Sequence, residues 1–227
     1  MCGRFVLKAP FSELVKLYNL TNIGVNLEPR YNVAPTLDIP VVRSRSEHGR
    51  TLDMLRWGLV PWWAKDTKIG YSTINAKAET IATKPAFRDA FKARRCIIPA
   101  DAFYEWKKLD VKRKQPYAIV PTKEPVFSFA GLWERWHNKA TDERLTTCTI
   151  ITTEPNELCA PIHNRMPAIL GPESFSKWLG EENASGQELM SLLKPYPAER
   201  MRAYPIGAKV GNVKNEGAEL LEPIATA

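Results

Sequence analysis

Apolar positions recur along this chain in short runs broken by Pro, Gly and Asp, with one clear helical stripe near the start. Phe11, Leu14, Val15 and Tyr18 fall at i, i+3, i+4 and i+7, which predicts an amphipathic helix opening near Pro10 and Ser12. A short strand at 3–7 precedes it. Runs rich in β-branched and aromatic residues then predict strands at 39–43, 51–59, 94–98, 102–107, 117–121, 126–133 and 144–152. Helical interruptions are expected at 79–83, at 85–92, and after Thr153, where Pro155 and Glu157 suit a first turn. Two more are expected at 173–179 and 187–193. Strands and helices do not alternate regularly, which argues against a parallel doubly wound sheet. The expected class is α+β: one domain over 1–227, with a mainly antiparallel sheet curled into a barrel-like core and helices at its margins. No repeat, low-complexity tract or linker divides it, and the 18 prolines are spread as turn punctuation.

Composition adds limits. With 44% hydrophobic and 25% charged residues, the 227-residue chain has the apolar mass of a globular core. Lys+Arg 32 against Asp+Glu 25 gives +7, a surplus that favours a polyanionic partner. Four cysteines, Cys2, Cys96, Cys148 and Cys159, are too scattered for a disulfide framework, and no CxxC pair offers a metal site. The opening MCGRFVLKAP lacks a signal-peptide pattern, and no long apolar run offers a membrane span. The expectation is a soluble cytoplasmic protein in a reducing compartment, without metal or cofactor.

Cys2 is the most unusual candidate. Methionine aminopeptidase removes Met1 when the next residue is small, leaving a cysteine with a free α-amine, a 1,2-aminothiol. Both groups titrate near 8, and positive charge from Arg4 is expected to enlarge the thiolate share. An aldehyde meeting this pair forms an imine with the amine, and the thiol closes on it as a five-membered thiazolidine. The plainer reading is a small residue starting a strand. Ile74-Asn75-Ala76-Lys77-Ala78-Glu79-Thr80 places Asn75, Lys77 and Glu79 on one side of an extended segment, or else forms a helix N-cap. On the strand at 102–107, Phe103 and Glu105 share one face and Tyr104 and Trp106 the other, so Glu105 is a candidate buried acid/base, or else a surface partner of Lys107 or Lys108.

Of three histidines, His48 and His137 lie in polar turns, whereas His163 sits in a proline-bracketed loop with Arg165. Adjacent Trp62 and Trp63 follow Gly58 and Pro61. Two such rings in a loop do not easily enter one core face, so at least one is expected to stand exposed as a stacking platform. Arg4, Arg30, Lys77, Lys84, Arg88 and Arg165 offer phosphate contacts around it.

Blocks running in order along nearly the whole chain resemble the SOS-response-associated peptidases, the SRAP family. They are Met1-Cys2-Gly3-Arg4-Phe5, Arg30-Tyr31-Asn32-Val33-Ala34-Pro35, Trp57-Gly58-Leu59-Val60-Pro61-Trp62-Trp63, Asn75-Ala76-Lys77-Ala78-Glu79-Thr80, Cys96-Ile97-Ile98-Pro99-Ala100-Asp101 with Phe103-Tyr104-Glu105-Trp106, Ala130-Gly131-Leu132-Trp133-Glu134, His163-Asn164-Arg165-Met166-Pro167 and Val210-Gly211-Asn212-Val213-Lys214-Asn215. The resemblance implies the SRAP fold and a DNA-damage role: recognition of abasic sites in single-stranded DNA, including strand–duplex junctions, by a monomer that crosslinks to them through Cys2. It implies that Cys2 attacks, Asn75 orients its amine, Glu105 moves protons during ring opening, and His163 assists at the sugar oxygen. Arg4, Asn32, Pro35, Trp62, Trp63, Lys77 and Arg165 would line the DNA groove. Lys77 departs from the arginine common in the family, keeping the charge but losing the bidentate fork. The family name also implies a peptidase activity, expressed here as removal of Met1. Two other classes stay open: an N-terminal-nucleophile hydrolase, because Met-Cys-Gly also opens amidotransferases of that type, and a non-enzymatic single-strand-binding module.

Overall fold

The stripe at Phe11, Leu14, Val15 and Tyr18 forms α1 (Phe11–Tyr18), which buries Leu14 and Tyr18 and ends where Asn19 turns left-handed at φ 52°. The computed structural model describes residues 2–22, 25–45 and 48–224. The strands are β1 (Phe5–Leu7), β2 (Arg30–Val33), β3 (Asp38–Arg45), β4 (Gly49–Trp57), β5 (Asn75–Lys77), β6 (Arg95–Ala100), β7 (Ala102–Lys108), β8 (Lys114–Pro121), β9 (Phe127–Asn138), β10 (Glu143–Thr153), β11 (Met166–Pro167) and β12 (Met201–Pro205). Short helices α2 (Arg88–Ala93), α3 (Phe175–Leu179) and α4 (Gly186–Ser191) lie at the margins.

Strands β4, β3, β6, β9 and β10 pair in that order. The ring closes because β10 also runs parallel to β4, with Thr147 opposite Arg56 and Cys148 opposite Trp57. Closure leaves these strands no free edge and encloses a core of Val41, Ile97, Phe129, Leu132 and Ile150. The second sheet, β12-β8-β7-β1-β2, is antiparallel throughout. Phe5 joins the two sheets, its ring 5.4 Å from Trp57 and 6.3 Å from Phe129. The alternation along β7 comes out as expected: Phe103 faces the main core, while Tyr104 packs with Val6, Ala118 and Ile206 in a second cluster. The class is α+β around a closed barrel.

Local corrections have local causes. No regular helix follows Thr153: Asn156 accepts from the Cys159 N–H and its carbonyl takes the Ala160 N–H, and the Ile162 and His163 N–H groups then meet the Cys159 carbonyl, but Pro161 lacks a donor and the segment stays a run of turns. The helix expected at 79–83 is a single 3-10 turn, Ala78–Thr80, and β5 stops at Lys77, so Glu79 does not continue the face of Asn75 and Lys77. Strands β2 and β12 have no counterpart in the sequence pattern.

Candidate active site

The pairing of β1 with β7, Phe5 opposite Phe103, with the Tyr104 N–H donating to the Arg4 carbonyl at 3.0 Å, carries the chain end toward Glu105. Cys2 is fully buried and belongs to the main core cluster. Burial pushes its thiol well above the usual value, and the nearby Glu105 carboxylate pushes the same way. The thiolate share expected from the positive charge of Arg4 is outweighed by burial, and of Arg4 only the backbone acts to lower the thiol. The Arg4 guanidinium turns instead to Asn32 Oδ1 at 2.8 Å and the Val210 carbonyl at 3.0 Å.

Glu105 is 4% exposed. Burial raises its carboxyl from 4.5 to about 7, with the positive charge of the amino terminus acting in the opposite direction. His163 Nε2 lies 3.9 Å from Glu105 Oε2. Its Nδ1 meets the Arg165 backbone, accepting from the N–H at 3.1 Å, and burial, the largest cause, lowers its pKa so that the ring is mainly neutral at pH 7. Glu105 and His163 line one cleft of about 490 Å³ with Trp106, Pro161 and Ile162, room enough for a sugar phosphate. Cys159, a residue with no role in the sequence reading, is buried close enough to this site to feel Glu105.

Asn75 stands on β5 beside Ile150 of β10. The Trp57 indole N–H and the Ile150 N–H both hold the Ile74 carbonyl, at 2.8 and 3.2 Å, which fixes the backbone just before it. Its amide nitrogen donates to that same carbonyl at 3.1 Å, while Oδ1 is buried with no partner among the described residues. A buried, oriented acceptor left open is uncommon and suits an incoming N–H. The hydroxyls of Thr149 and Thr152 on neighbouring β10 are likewise buried and open.

The remaining candidates divide. Trp62 and Trp63 are 60% and 45% exposed, on a turn anchored where the Trp136 indole donates to the Ala64 carbonyl at 2.7 Å. Pro35 is partly exposed in the turn between β2 and β3, and Lys77 is exposed at the end of β5. Arg165 is already engaged: its guanidinium forks onto Glu79 at 2.6 and 3.0 Å and reaches the Thr152 carbonyl at 2.6 Å. Asn32 is 1% exposed, its amide donating to the carbonyls of Asn212 and Asn215 at 3.0 and 2.9 Å. With the carboxylate of Glu216 accepting from the backbone of Tyr31 and Asn32, this straps residues 210–216 against β2 and holds Arg4 in place. Asn32 therefore acts as a tie within the fold. No group of His, Cys, Asp and Glu among the described residues is arranged to hold a metal. None of the helices described is long and apolar enough to cross a membrane.

The sequence profile of the SOS response associated peptidase (SRAP) family matches residues 1–213. The chain belongs to the SRAP family. Among its relatives are the abasic site processing protein YoqW of Bacillus subtilis, 48% identical over 98% of this chain and 99% of that one, and the abasic site processing protein YedK of Escherichia coli, 33% identical over 99% and 100%. The crystal structure of a protein from Bacteroides thetaiotaomicron superposes with a TM-score of 0.89 at 32% identity, covering 99% of this chain and 100% of that one. The SRAP match spans all the candidate residues described above, from Cys2 to Arg165.

Proposed function

We propose that this chain processes abasic sites in single-stranded DNA by capturing them as a covalent thiazolidine through Cys2, once Met1 is removed. The observation that carries the reading is Glu105, a carboxyl titrating near 7 in the cleft, with His163 3.9 Å away and the buried Cys2 thiol close enough to feel its charge. An abasic deoxyribose exposes an aldehyde when its ring opens. Glu105, half ionised near neutrality, gives and takes the protons of that opening, with His163 beside it at the sugar oxygen. The α-amine, held by the open acceptor of Asn75, adds to the aldehyde carbon; water leaves and an imine forms. The thiol then adds across the C=N bond: sulfur bonds to carbon, and the thiol proton passes by way of Glu105 to nitrogen. One water is released and no oxidant is needed.

A thiol kept protonated by burial suits this order, amine first and sulfur second. An open imine permits β-elimination and strand cleavage, and ring closure removes it. The same protonated thiol disfavours a hydrolase that needs a resting thiolate. The exposed Trp62 and Trp63 serve as a platform for bases, Lys77 as a phosphate contact, and Arg165 as a second one on exchange with Glu79. The protein acts in the DNA damage response as a cytoplasmic monomer that joins the nucleoid when DNA-bound, on single strands and at strand–duplex junctions.

The test is incubation with an oligonucleotide carrying one abasic site. An SDS-stable adduct is expected from the wild type and none from Cys2→Ala. Equal adduct from the variant would overturn the reading, and the intact mass of the purified chain reports whether Met1 is gone.

A further inference from the structure

The hairpin joining β7 to β8 is the most cationic short segment of the chain: Lys107, Lys108, Lys112, Arg113 and Lys114 surround one acid, Asp110. That acid is consumed by the turn. Its carboxylate accepts from the backbone N–H groups of Lys112 and Arg113 at 2.9 and 2.8 Å and from the Arg113 side chain at 2.5 Å. Lys108 and Lys114 stand directly opposite each other across the strand pair, both exposed. No acidic side chain lies within ion-pair distance of either among the described residues. Like charges facing each other on a ladder disfavour the hairpin, and no ion pair among the described residues offsets them, which is the pattern expected where an external anion bridges the two ammonium groups. Both lysines line the cleft that contains Glu105 and His163, and the positive charge of Lys108 is felt at His163. Beyond them a second hollow continues along the hairpin to its exposed tip at Leu109 and Val111.

We propose that Lys108 and Lys114 form a phosphate clamp, by which the β7–β8 hairpin holds the DNA backbone as the strand leaves the cleft. This rests on the DNA reading above and extends the binding surface to an element that reading does not use. The clamp faces the cleft from β7 and β8, whereas Arg165, whose charge is also felt at His163, approaches from the loop before β11.

The test is the salt dependence of binding to an undamaged single strand, compared among wild type, Lys108→Ala/Lys114→Ala and Lys77→Ala. Each phosphate contact on a single strand contributes about 0.7 to the slope of log K against log salt. The double variant should lose several-fold in affinity at low salt and about 0.7 to 1.4 in slope, while its melting temperature holds or rises as the like-charge contact goes. A slope unchanged in the double variant but reduced in Lys77→Ala would overturn the clamp and leave the DNA reading standing. A wild type that neither binds the strand nor captures an abasic site would remove both. Inorganic phosphate added at constant ionic strength should narrow the difference between wild type and double variant by competing for the pair; if phosphate binds the pair while the affinity and slope for DNA are equal in wild type and double variant, the pair is a free-phosphate site and the clamp is overturned.

Discussion

Glu105 lies between the main core and the cleft at the chain end, and its environment makes a stability claim as well as a chemical one. A carboxyl raised by burial from 4.5 to about 7 stays protonated in the fold over a range where the unfolded chain ionises it. Its contribution is therefore fully present below about 4.5 and lost as pH rises through about 7. Glu105→Gln removes the titration, so the variant should gain stability over wild type between these limits, reaching about 3 kcal/mol at pH 8 and nothing comparable at pH 4. Urea unfolding at the two pH values measures this, and an equal gain at both would refute the buried-acid account. The same substitution should slow adduct formation by roughly 100-fold or more, because Gln neither gives nor takes a proton. Cys2→Ala separates chemistry from folding in the other direction. It removes a buried sulfur at a cost of about 1 to 2 kcal/mol, leaving a folded protein that forms no adduct.

At the scale of elements, the site depends on two pieces of backbone that hold functional segments in place. Gly58, at φ 128°, is one: a Cβ there would stand 2.6 Å from the Gly70 carbonyl oxygen, at the entry to the turn that displays Trp62 and Trp63. Gly58→Ala should lower stability by about 2 to 3 kcal/mol and weaken single-strand affinity by shifting the platform, read by melting temperature and by fluorescence anisotropy. Unchanged affinity in a destabilised variant would detach the platform from the turn. The strap of Asn32 is the other. Asn32→Ala removes the amide's bonds to the Val210, Asn212 and Asn215 carbonyls and the acceptor of Arg4, so a loss of about 1 to 3 kcal/mol is expected, with faster hydrogen exchange confined to 210–216.

How much of this was legible follows from the range of the interactions. The barrel strands announced themselves because runs of β-branched and aromatic residues broken by Pro, Gly and Asp are a local property of the sequence. Strands β2 and β12 did not, since each flanks the second sheet and exists through a partner remote in sequence. Cys2, Glu105 and His163 stood out as residue types in unusual settings. The commitments of Asn32 to residues 210–215 and of Arg165 to Glu79, 86 positions away, leave no local trace.

For the whole molecule, the formal +7 and the closed barrel together separate binding from chemistry. The cations assigned to DNA, Lys77 and Arg165 among them, lie at the rim, while Cys2 and Glu105 lie within the packed core, where salt screens little. Long-range attraction of a strand is screened and falls with log salt, but amine attack and thiol closure occur in a site whose field comes from buried groups. Raising salt from 50 to 200 mM should therefore raise the protein concentration that gives half-maximal capture rate several-fold or more. The maximal rate at saturation should stay within about twofold. Single-turnover capture of an abasic oligonucleotide over a protein titration at each salt concentration measures both. If the maximal rate instead fell in step with affinity, the exposed cations would belong to the transition state as well as to binding, and the division between rim and core would have to be abandoned.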